Sequence, residues 1–319
     1  MLENGVRKLV TIRTIKSLEP ILGADRIEVA SVDGWKVVVK KDQFSVGEKV
    51  AYFEVDSLLP TTREEFSFLS GNNDLHRLRT VKLRGQISQG FICKLPEDKN
   101  TWNDLDAYFG VTKYELPEDV TMRGDIKGVF PSFIPKTDLE RVQNIGEDFK
   151  GVFEVTQKLD GTSLTVFRYE NEFNVCSRNN MKKESDSCVY WKTVKESGIV
   201  DKLPDGYALQ GELMGPKIQN NRMQLKSHRL FVFNVFHIPT GKYLDPEERM
   251  KFMKDTNLSH LHIPIVSLTH STLTYSLEDL LELANKVASE NIGCEGLSFK
   301  NKDIYFKVIS NNYLLKHGE

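Results

Sequence analysis

Short runs of alternating apolar and polar residues dominate the first third of the chain. These runs predict strands at residues 7–15, 24–32, 35–39, 46–55, 78–84 and 90–94. The turn pair Asp33-Gly34 joins two of them, which is a strong hairpin signal. Short strands with turns at this spacing predict a small closed barrel. We expect a five-stranded OB-type barrel, with an SH3-like barrel as the alternative.

The pattern changes beyond this barrel. Residues 122–135 are punctuated by glycine and proline, so we predict a first domain at 1–120, a linker at 121–135 and a second domain at 136–319. Thr137 and Glu140 have the spacing of a capping box, which predicts a short helix from 138 to 145. Later patterns predict strands at 164–169, 173–177, 208–213 and 230–236, and helices at 187–195 and 277–290. The predicted fold class is α+β.

The composition is that of an ordinary globular protein, with 39% apolar residues, 28% charged residues and a net charge of −2. The longest apolar runs are far shorter than the ~20 residues of a membrane helix, and the N-terminus has no apolar export segment. We therefore expect a cytoplasmic monomer that does not span a membrane. The four cysteines lie singly, which supports neither a disulfide framework nor a zinc site.

A lysine at the end of a strand is the most unusual feature of the chain. Apolar residues alternate through 153–157, and Lys158 is followed by Asp160 and Gly161, which end the strand. A lysine amine has a free pKa of roughly 10.4, so it needs a cationic neighbour or a metal-bound substrate before it attacks phosphorus. Gly161 would let a phosphorylated ligand approach the backbone. By itself, this motif also fits a surface turn with a solvated lysine.

Basic residues cluster in the first domain at His76, Arg77, Arg79, Lys82 and Arg84. Such a strand and turn can follow a phosphate backbone, as OB-type grooves do. A solvated edge strand that uses charge to block aggregation is an equal alternative. The overall charge does not decide between them, because phosphate contacts depend on local charge.

Further polar groups lie at the ends of predicted strands in the second domain. They are one arginine, two carboxylates next to glycines and two lysines, at Arg178, Glu212, Glu295, Lys300 and Lys307. Any one of them has an ordinary structural explanation. Together with Lys158 they fit a nucleotide site with a divalent metal.

The order of these motifs is specific. The segments are Lys158-Leu-Asp-Gly161, Ser177-Arg178, Gly211-Glu212-Leu-Met, Phe231-Val-Phe233-Asn-Val, Glu295-Gly-Leu-Ser-Phe-Lys300 and Phe306-Lys307-Val. This series resembles motifs I, Ia, III, IIIa, IV and V of the covalent nucleotidyltransferases, the polynucleotide ligases and mRNA capping enzymes. The second half is most similar to nick-sealing, ATP-dependent RNA ligases of the phage RNA ligase 2 type. The first half resembles the branch of those ligases that has an N-terminal OB domain.

The resemblance implies a fold and a mechanism. The second domain would be a nucleotidyltransferase domain, with ATP-grasp-like antiparallel sheets and flanking helices. Lys158 would attack the α-phosphorus of ATP to form a covalent lysyl-AMP. The AMP would pass to the 5′-phosphate of an RNA end, and a 3′-hydroxyl would then displace it. Asp160, Glu295 and Glu212 would hold Mg²⁺ or Mn²⁺, mostly through water.

The resemblance also implies the nucleotide contacts. Arg178 and Glu212 would contact the ribose, Phe233 would stack on adenine, and Gln157 would reach the edge of the base. Without the resemblance, Phe233 would be read as a core aromatic. Lys300 and Lys307 would bind the region of the α-phosphate.

Motif V departs from the phage pattern, which has a Lys-x-Lys pair. Here Lys307 is followed two residues later by Ile309. Lys300 and Lys302 have that spacing, but they belong to the preceding hairpin. The identity of a second phosphate-binding lysine therefore stays open.

The predicted function is sealing of 3′-hydroxyl and 5′-phosphate RNA ends, at nicks in a duplex or across a bridged break. Contacts with the RNA are predicted for Arg79, Lys82, Arg84, Arg141 and Gln143. The alternatives are a DNA ligase, a guanylyltransferase and a nucleic-acid-binding protein without chemistry.

Overall fold

The structure is a computed structural model that describes residues 2–3, 6–69, 74–115 and 124–318. The first domain contains twelve strands and one α-helix. The strands are β1 (Leu2–Glu3), β2 (Val6–Arg7), β3 (Val10–Ile21), β4 (Ala24–Val32), β5 (Trp35–Lys40), β6 (Lys49–Phe53), β7 (Ser57–Pro60), β8 (Leu75–Arg77), β9 (Val81–Leu83), β10 (Gln86–Ser88), β11 (Phe91–Lys94) and β12 (Thr112–Lys113). Helix α1 (Leu105–Phe109) follows a 3₁₀ helix at Lys99–Asp104.

The barrel is built on the long strand β3. Its first half pairs with β6 and its second half with β4, so one strand turns the corner between two parts of a five-stranded sheet ordered β11-β6-β3-β4-β5. Strand β6 is buried on both faces. Val50 and Tyr52 pack into one apolar cluster, while Ala51 and Phe53 pack into another under α1. The predicted OB-type barrel is confirmed.

The second half of the described chain adds twelve strands and five α-helices. The strands are β13 (Ile126–Val129), β14 (Glu140–Arg141), β15 (Val152–Leu159), β16 (Thr162–Tyr169), β17 (Glu172–Cys176), β18 (Asn180–Lys182), β19 (Tyr207–Met214), β20 (Arg229–His237), β21 (Lys242–Tyr243), β22 (Ile265–Ser271), β23 (Cys294–Lys300) and β24 (Tyr305–Ile309). The helices are α2 (Val189–Glu196), α3 (Ile199–Lys202), α4 (Pro246–Asp255), α5 (Leu277–Glu290) and α6 (Asn311–His317).

These strands form two sheets that face each other across the site. A seven-stranded sheet has the order β13-β18-β17-β16-β19-β20-β21, and a five-stranded sheet has the order β14-β24-β23-β15-β22. Helix α5 covers the outer face of the second sheet with Leu280, Ala284 and Val287. The predicted helices at 187–195 and 277–290 correspond to α2 and α5, and the α+β class is confirmed. Within the described residues, no helix has the length and apolar character needed to cross a membrane.

Two predictions about the segment between the domains need correction. Residues 116–123, where the predicted linker begins, lie outside the described residues, and the next part of that linker forms β13 at the edge of the seven-stranded sheet. The helix predicted at 138–145 is wrong. Glu140 and Arg141 pair with β24 as a parallel strand, and a 3₁₀ helix follows at Val142–Asn144.

The two domains meet at this same segment. Gly34, in the hairpin turn of the barrel, donates its backbone N–H to the carbonyl of Gln143 at 3.2 Å. A β-carbon on Gly34 would lie 2.7 Å from Cα of Gln143, so only glycine allows this approach. Asn144 accepts from the indole of Trp35 at 2.6 Å and donates to Glu54 at 2.8 Å. Contacts between domains, rather than a capping box, decide the conformation here.

A buried ion pair anchors α4 to the lysine strand. Arg249 on α4 is 2% exposed, Glu154 on β15 is 3% exposed, and their side chains meet at 2.5 Å. The second oxygen of Glu154 has no hydrogen-bond partner within the described residues. We expect Arg249→Met to lower the free energy of unfolding by about 3–5 kcal/mol, because it leaves a buried carboxylate uncompensated.

Chemical denaturation followed by circular dichroism checks this prediction. The matched control is Lys251→Met, which removes an exposed ion pair with Asp255 on the same helix and should change stability by less than about 1 kcal/mol. Equal effects of the two substitutions would contradict the role given to Arg249.

Candidate active site

A cavity of about 1010 Å³ lies between the two sheets of the second domain and the barrel. Nine of the predicted site residues line it: Arg141, Gln157, Lys158, Gly161, Arg178, Glu212, Phe233, Lys300 and Lys307. Side chains of the first domain, including Arg7 and Lys113, line it as well. The site is therefore completed by both domains.

Lys158 stands near the end of β15, opposite Gly296 on β23. The register of these strands shifts between Lys158 and Leu159, and such an irregularity re-aims side chains at a strand end. The Nζ of Lys158 lies 2.5 Å from Oε1 of Glu295. Burial lowers the pKa of Lys158, but the charges of Glu295 and Glu212 outweigh burial and leave the pKa above its usual value. The amine is therefore held as a cation against a carboxylate.

Glu212 supplies a second carboxylate beside this pair. It lies on β19, and its side chain accepts the backbone N–H of Gly161 at 3.2 Å. Burial raises the pKa of Glu212 to about 7. The positive charge of Lys158 lowers this pKa, and the negative charge of Glu295 raises it further. A half-buried carboxylate whose charge is disfavoured by burial and by a second carboxylate is suited to a bound cation.

The residues fit a metal that keeps most of its own water. Among the described residues, no three acidic, histidine or cysteine side chains are grouped as a metal site. Mg²⁺ is commonly held by only one or two carboxylates together with water and substrate phosphates. Glu212 and Glu295 meet that requirement.

Gly161 is required by the protein itself. A β-carbon at this position would lie 2.4 Å from the sulfur of Met214 and 2.5 Å from the carbonyl oxygen of Leu213. Any larger residue would separate the turn after the lysine strand from β19. The glycine therefore keeps Glu212 within reach of its backbone N–H.

Phe233 and Lys300 lie together on one wall of the cavity. The ring of Phe233 is half-buried, and the amine of Lys300 lies 5.2 Å from its centroid. That amine donates to the carbonyl of Phe233 at 3.0 Å and to the side chain of Asn234 at 2.7 Å. Burial lowers the pKa of Lys300 to about 7. These contacts favour a role in supporting β20 over the predicted contact with the α-phosphate, which stays a prediction.

A cluster of cations surrounds Asp138 on the opposite wall. Arg7 donates to its carboxylate at 3.1 Å, and cations lie at 3.7–3.9 Å on Lys307, Arg178 and Lys113. Burial alone would raise the pKa of Asp138, but Lys307 and Arg7 hold it well below its usual range. Burial lowers the pKa of Lys307 to about 7. Sequence patterns did not indicate Arg7, Lys113 or Asp138, because their proximity depends on the contact between domains.

Asp160 is engaged away from the Lys158–Glu295 contact. Its carboxylate forms an ion pair with Arg222 and accepts from the hydroxyl of Tyr313 on α6 at 2.7 Å. Arg222 donates to the same hydroxyl at 2.6 Å, which closes a three-membered network. The metal-ligand role of Asp160 stays a prediction, and the structure favours a role in positioning the turn after Lys158.

The predicted RNA-contacting residues divide into three groups. Gln143 is 2% exposed and lies against the hairpin turn at Gly34, and its contact with RNA stays a prediction. Arg141 lines the cavity, and its buried Nη1 has no hydrogen-bond partner among the described residues. Lys82 and Arg84 lie on the exposed β9–β10 hairpin, and Arg79 lines a second, smaller cavity.

Comparisons with known proteins agree with this architecture. A family model described as an OB-fold domain matches residues 9–95, and one described as RNA ligase matches residues 151–316. The structure is similar to that of Naegleria gruberi RNA ligase without ligand, an aspartate-to-alanine variant, with a TM-score of 0.91 and 37% identity over 98% of this chain and 99% of that chain. A search of curated protein sequences gives no match.

Two liganded forms of that protein are also similar. The form with PPi has a TM-score of 0.88 and 37% identity, and a lysine-to-alanine variant with ATP and Mn has a TM-score of 0.89 and 36% identity. Both alignments cover 98% of this chain and 99% of the other.

An OB-fold domain joined to a domain whose central cavity is lined by Lys158 is the arrangement expected of a covalent nucleotidyltransferase, the class that the motif series resembles. More particularly, this chain belongs to the RNA ligase family. The resemblance found in the motif series is thereby confirmed, and so is the order of the two domains.

Proposed function

We propose that this protein is an ATP-dependent RNA ligase that seals 3′-hydroxyl and 5′-phosphate ends at nicks in duplex RNA. The observation that carries the proposal is the half-buried contact of 2.5 Å between Glu295 and Lys158, whose side chain lines a cavity that is also lined by cations of both domains. The similar Naegleria structures with ATP, Mn and PPi support the same nucleotide chemistry.

Lys158 acts as the nucleophile. Its Nζ forms a bond to the α-phosphorus of ATP, the bond from that phosphorus to the bridging oxygen breaks, and pyrophosphate leaves. The amine must first lose its proton, and Oε1 of Glu295 at 2.5 Å is an acceptor within reach. The AMP then passes to an RNA 5′-phosphate, and the 3′-hydroxyl attacks that phosphate and releases AMP.

Glu295 and Glu212 are the residues that would hold the divalent metal, Mg²⁺ or Mn²⁺. When bound, the metal supplies positive charge that neutralises the phosphates and favours an unprotonated amine. Both carboxylates act on the amine of Lys158, since Glu295 contacts it and the charges of Glu295 and Glu212 raise its pKa, so a metal held by them would lie beside the nucleophile. Asp160 positions the turn through Arg222 and Tyr313.

The nucleotide lies along the cavity walls. Phe233 stacks on the base, Glu212 and Arg178 reach the ribose, and Gln157 reads the edge of the base. Gln157 donates its amide to Asn291 at 2.9 Å, which holds the side chain in one orientation. The phosphates of the nucleotide lie toward Lys307. Several cations surround the single carboxylate of Asp138 there, so the region has an excess of positive charge.

RNA binds across both domains. Arg141 offers a buried guanidinium nitrogen without a hydrogen-bond partner in the described residues, and a phosphate would satisfy it. Lys82 and Arg84 extend the basic surface along the exposed hairpin. Basic groups on both the barrel and the catalytic domain suit a duplex better than one short strand.

The protein works as a cytoplasmic monomer. Both walls of the cavity come from one chain, so the site needs no second copy. The four cysteines are free, as is usual in a reducing compartment.

Substrate discrimination tests the proposal. We expect a nicked RNA duplex to be sealed at least about tenfold faster than single-stranded RNA. The same factor is expected relative to a nick whose 3′-terminal nucleotide carries deoxyribose. In both cases polar contacts with the RNA are lost, at a cost of about 1.5 kcal/mol. Faster sealing of the deoxyribose nick would indicate a DNA ligase. Covalent labelling by GTP but not ATP would indicate a guanylyltransferase.

A further inference from the structure

A second cavity of about 320 Å³ lies where the barrel meets the catalytic domain. The barrel contributes Arg77, Arg79 and Tyr114, and the catalytic domain contributes Arg222 and His317. Asp56, Tyr114, Gln219 and Asn220 line both this cavity and the main one. The second cavity is therefore a side branch of the nucleotide cavity.

The charges in this branch are unevenly neutralised. Arg77 is paired with Asp56 at 2.6 Å and stacks on the ring of Tyr114, and Arg222 is paired with Asp160. Arg79 is exposed and has no ion-pair partner in the described part of the chain. Its Nη1 comes within 3.7 Å of where a β-carbon on Gly318 would lie, so the guanidinium spans the cavity from the barrel to the end of α6. The branch thus carries an uncompensated cation.

A loop in an unusual backbone conformation forms the wall between the two cavities. Lys217, Gln219, Asn220, Asn221 and Gln224 all have positive φ angles, from 43° to 66°. Such conformations cost free energy for residues other than glycine and cluster at ligand sites. The side-chain amide of Asn221 donates a hydrogen bond to the backbone carbonyl of Leu225 and accepts one from the backbone N–H of Leu225, and this pair of bonds holds the loop in place. The result is that Gln219 and Asn220 face both cavities.

We propose that this second cavity binds one backbone phosphate of the RNA strand that is being joined, with Arg79 as its direct partner. An arginine fork matches the oxygens of a phosphate, and the paired Arg77 and the amides of Gln219 and Asn220 offer further donors. This proposal rests on the proposed RNA ligase function and adds a subsite to it.

The subsite is linked to the segment that carries the nucleophile. Arg222 lines the branch and is also the ion-pair partner of Asp160, which stands two residues after Lys158 in the chain. A phosphate held here is thus fixed relative to the segment that carries the nucleophile. Holding the strand at a second point restricts the position of its end, which raises the rate of an end-joining step.

Binding of nicked RNA by an Arg79→Ala variant tests the proposal. We expect about tenfold weaker binding, as for one lost hydrogen bond to a charged group, and a salt dependence reduced by about one phosphate contact. Arg79→Lys should restore the salt dependence but not the full affinity, because lysine keeps the charge without the fork. The matched control is Arg26→Ala, an exposed arginine on β4 that lines neither cavity.

A scan with neutral methylphosphonates locates the phosphate. One phosphate at a time is neutralised on either side of the nick, and binding is measured with the wild type and with Arg79→Ala. At one position, neutralisation should weaken binding to the wild type about tenfold and leave binding to Arg79→Ala unchanged. That position also shows whether the strand with the 3′-hydroxyl or the strand with the 5′-phosphate occupies the cavity.

The two proposals fail in different ways. If Arg79→Ala binds nicked RNA as tightly as Arg26→Ala does, or if no position shows coupling, the phosphate subsite is refuted while labelling of the wild type by ATP still supports the ligase. If the wild type binds ATP but forms no covalent adenylate, the ligase function itself is refuted.

Discussion

Lys158→Ala abolishes covalent labelling of the protein by ATP that is radiolabelled on its α-phosphate; this is the largest effect that we expect. The amine is the proposed nucleophile, and alanine at this position leaves nothing that can bond to phosphorus, so labelling should fall by at least about 10⁴-fold. The measurement is denaturing electrophoresis after incubation with labelled ATP and a divalent metal. Lys192→Ala, which removes an exposed lysine on α2, is the matched control and should label like the wild type.

A protein that already carries AMP would take up no label. The mass of the purified protein is therefore measured first, and pyrophosphate is added to remove any bound AMP. Label that persists on Lys158→Ala would place the nucleophile elsewhere. An unmodified wild type that takes up no label would favour a binding protein without chemistry.

Replacing Glu295 with glutamine should cause the second-largest loss, on the order of 10²–10³-fold in the rate of lysyl-AMP formation. The substitution keeps the shape of the side chain but removes the charge that lies 2.5 Å from Lys158. We expect the proton acceptor and one metal-binding carboxylate to be lost together. The variant should therefore need a higher metal concentration for half-maximal rate, and saturating metal should not restore the full rate.

Glu290→Gln is the control, because this residue is exposed at the end of α5, close to Glu295 in sequence, whereas Glu295 is the residue that contacts Lys158. A Glu295→Gln variant that reaches the wild-type rate at high metal would limit Glu295 to metal binding. An unchanged rate and metal requirement would refute both roles.

Local sequence patterns predicted most of the elements because their causes are local. Alternation of apolar residues marks β15 to β20, since both sheets bury one face against a core. Helix α5 begins at Leu277, as the apolar pattern predicted. The preceding Ser276 caps the helix together with Asp279. The motif order from Lys158 to Lys307 marked the chemistry, and the fold places Lys158, Arg178, Glu212, Phe233, Lys300 and Lys307 around one cavity.

The same reasoning failed where contacts between distant parts of the chain outweigh local preference. The capping-box pattern at Thr137 and Glu140 predicted a helix, but Asp138 pairs with Arg7 of the first domain and Glu140 joins a sheet. Gln143, whose contact with RNA stays a prediction, is buried against the hairpin turn at Gly34, which the local pattern did not indicate. In both places the barrel packs on the catalytic domain and supplies partners that no local pattern contains.

The sequence alone therefore determined the order of the two domains and most of their strands, and it singled out Lys158, Glu212 and Glu295 as the proposed site, because these depend on residue type and spacing along the chain. Only the tertiary structure decided that Asp160 serves Arg222 and Tyr313, that Asp138 lies in a ring of cations, and that a second cavity opens beside Arg79. These features join residues far apart in sequence. Electrostatic pairing acts through space, so it becomes visible only when the fold brings those charges together.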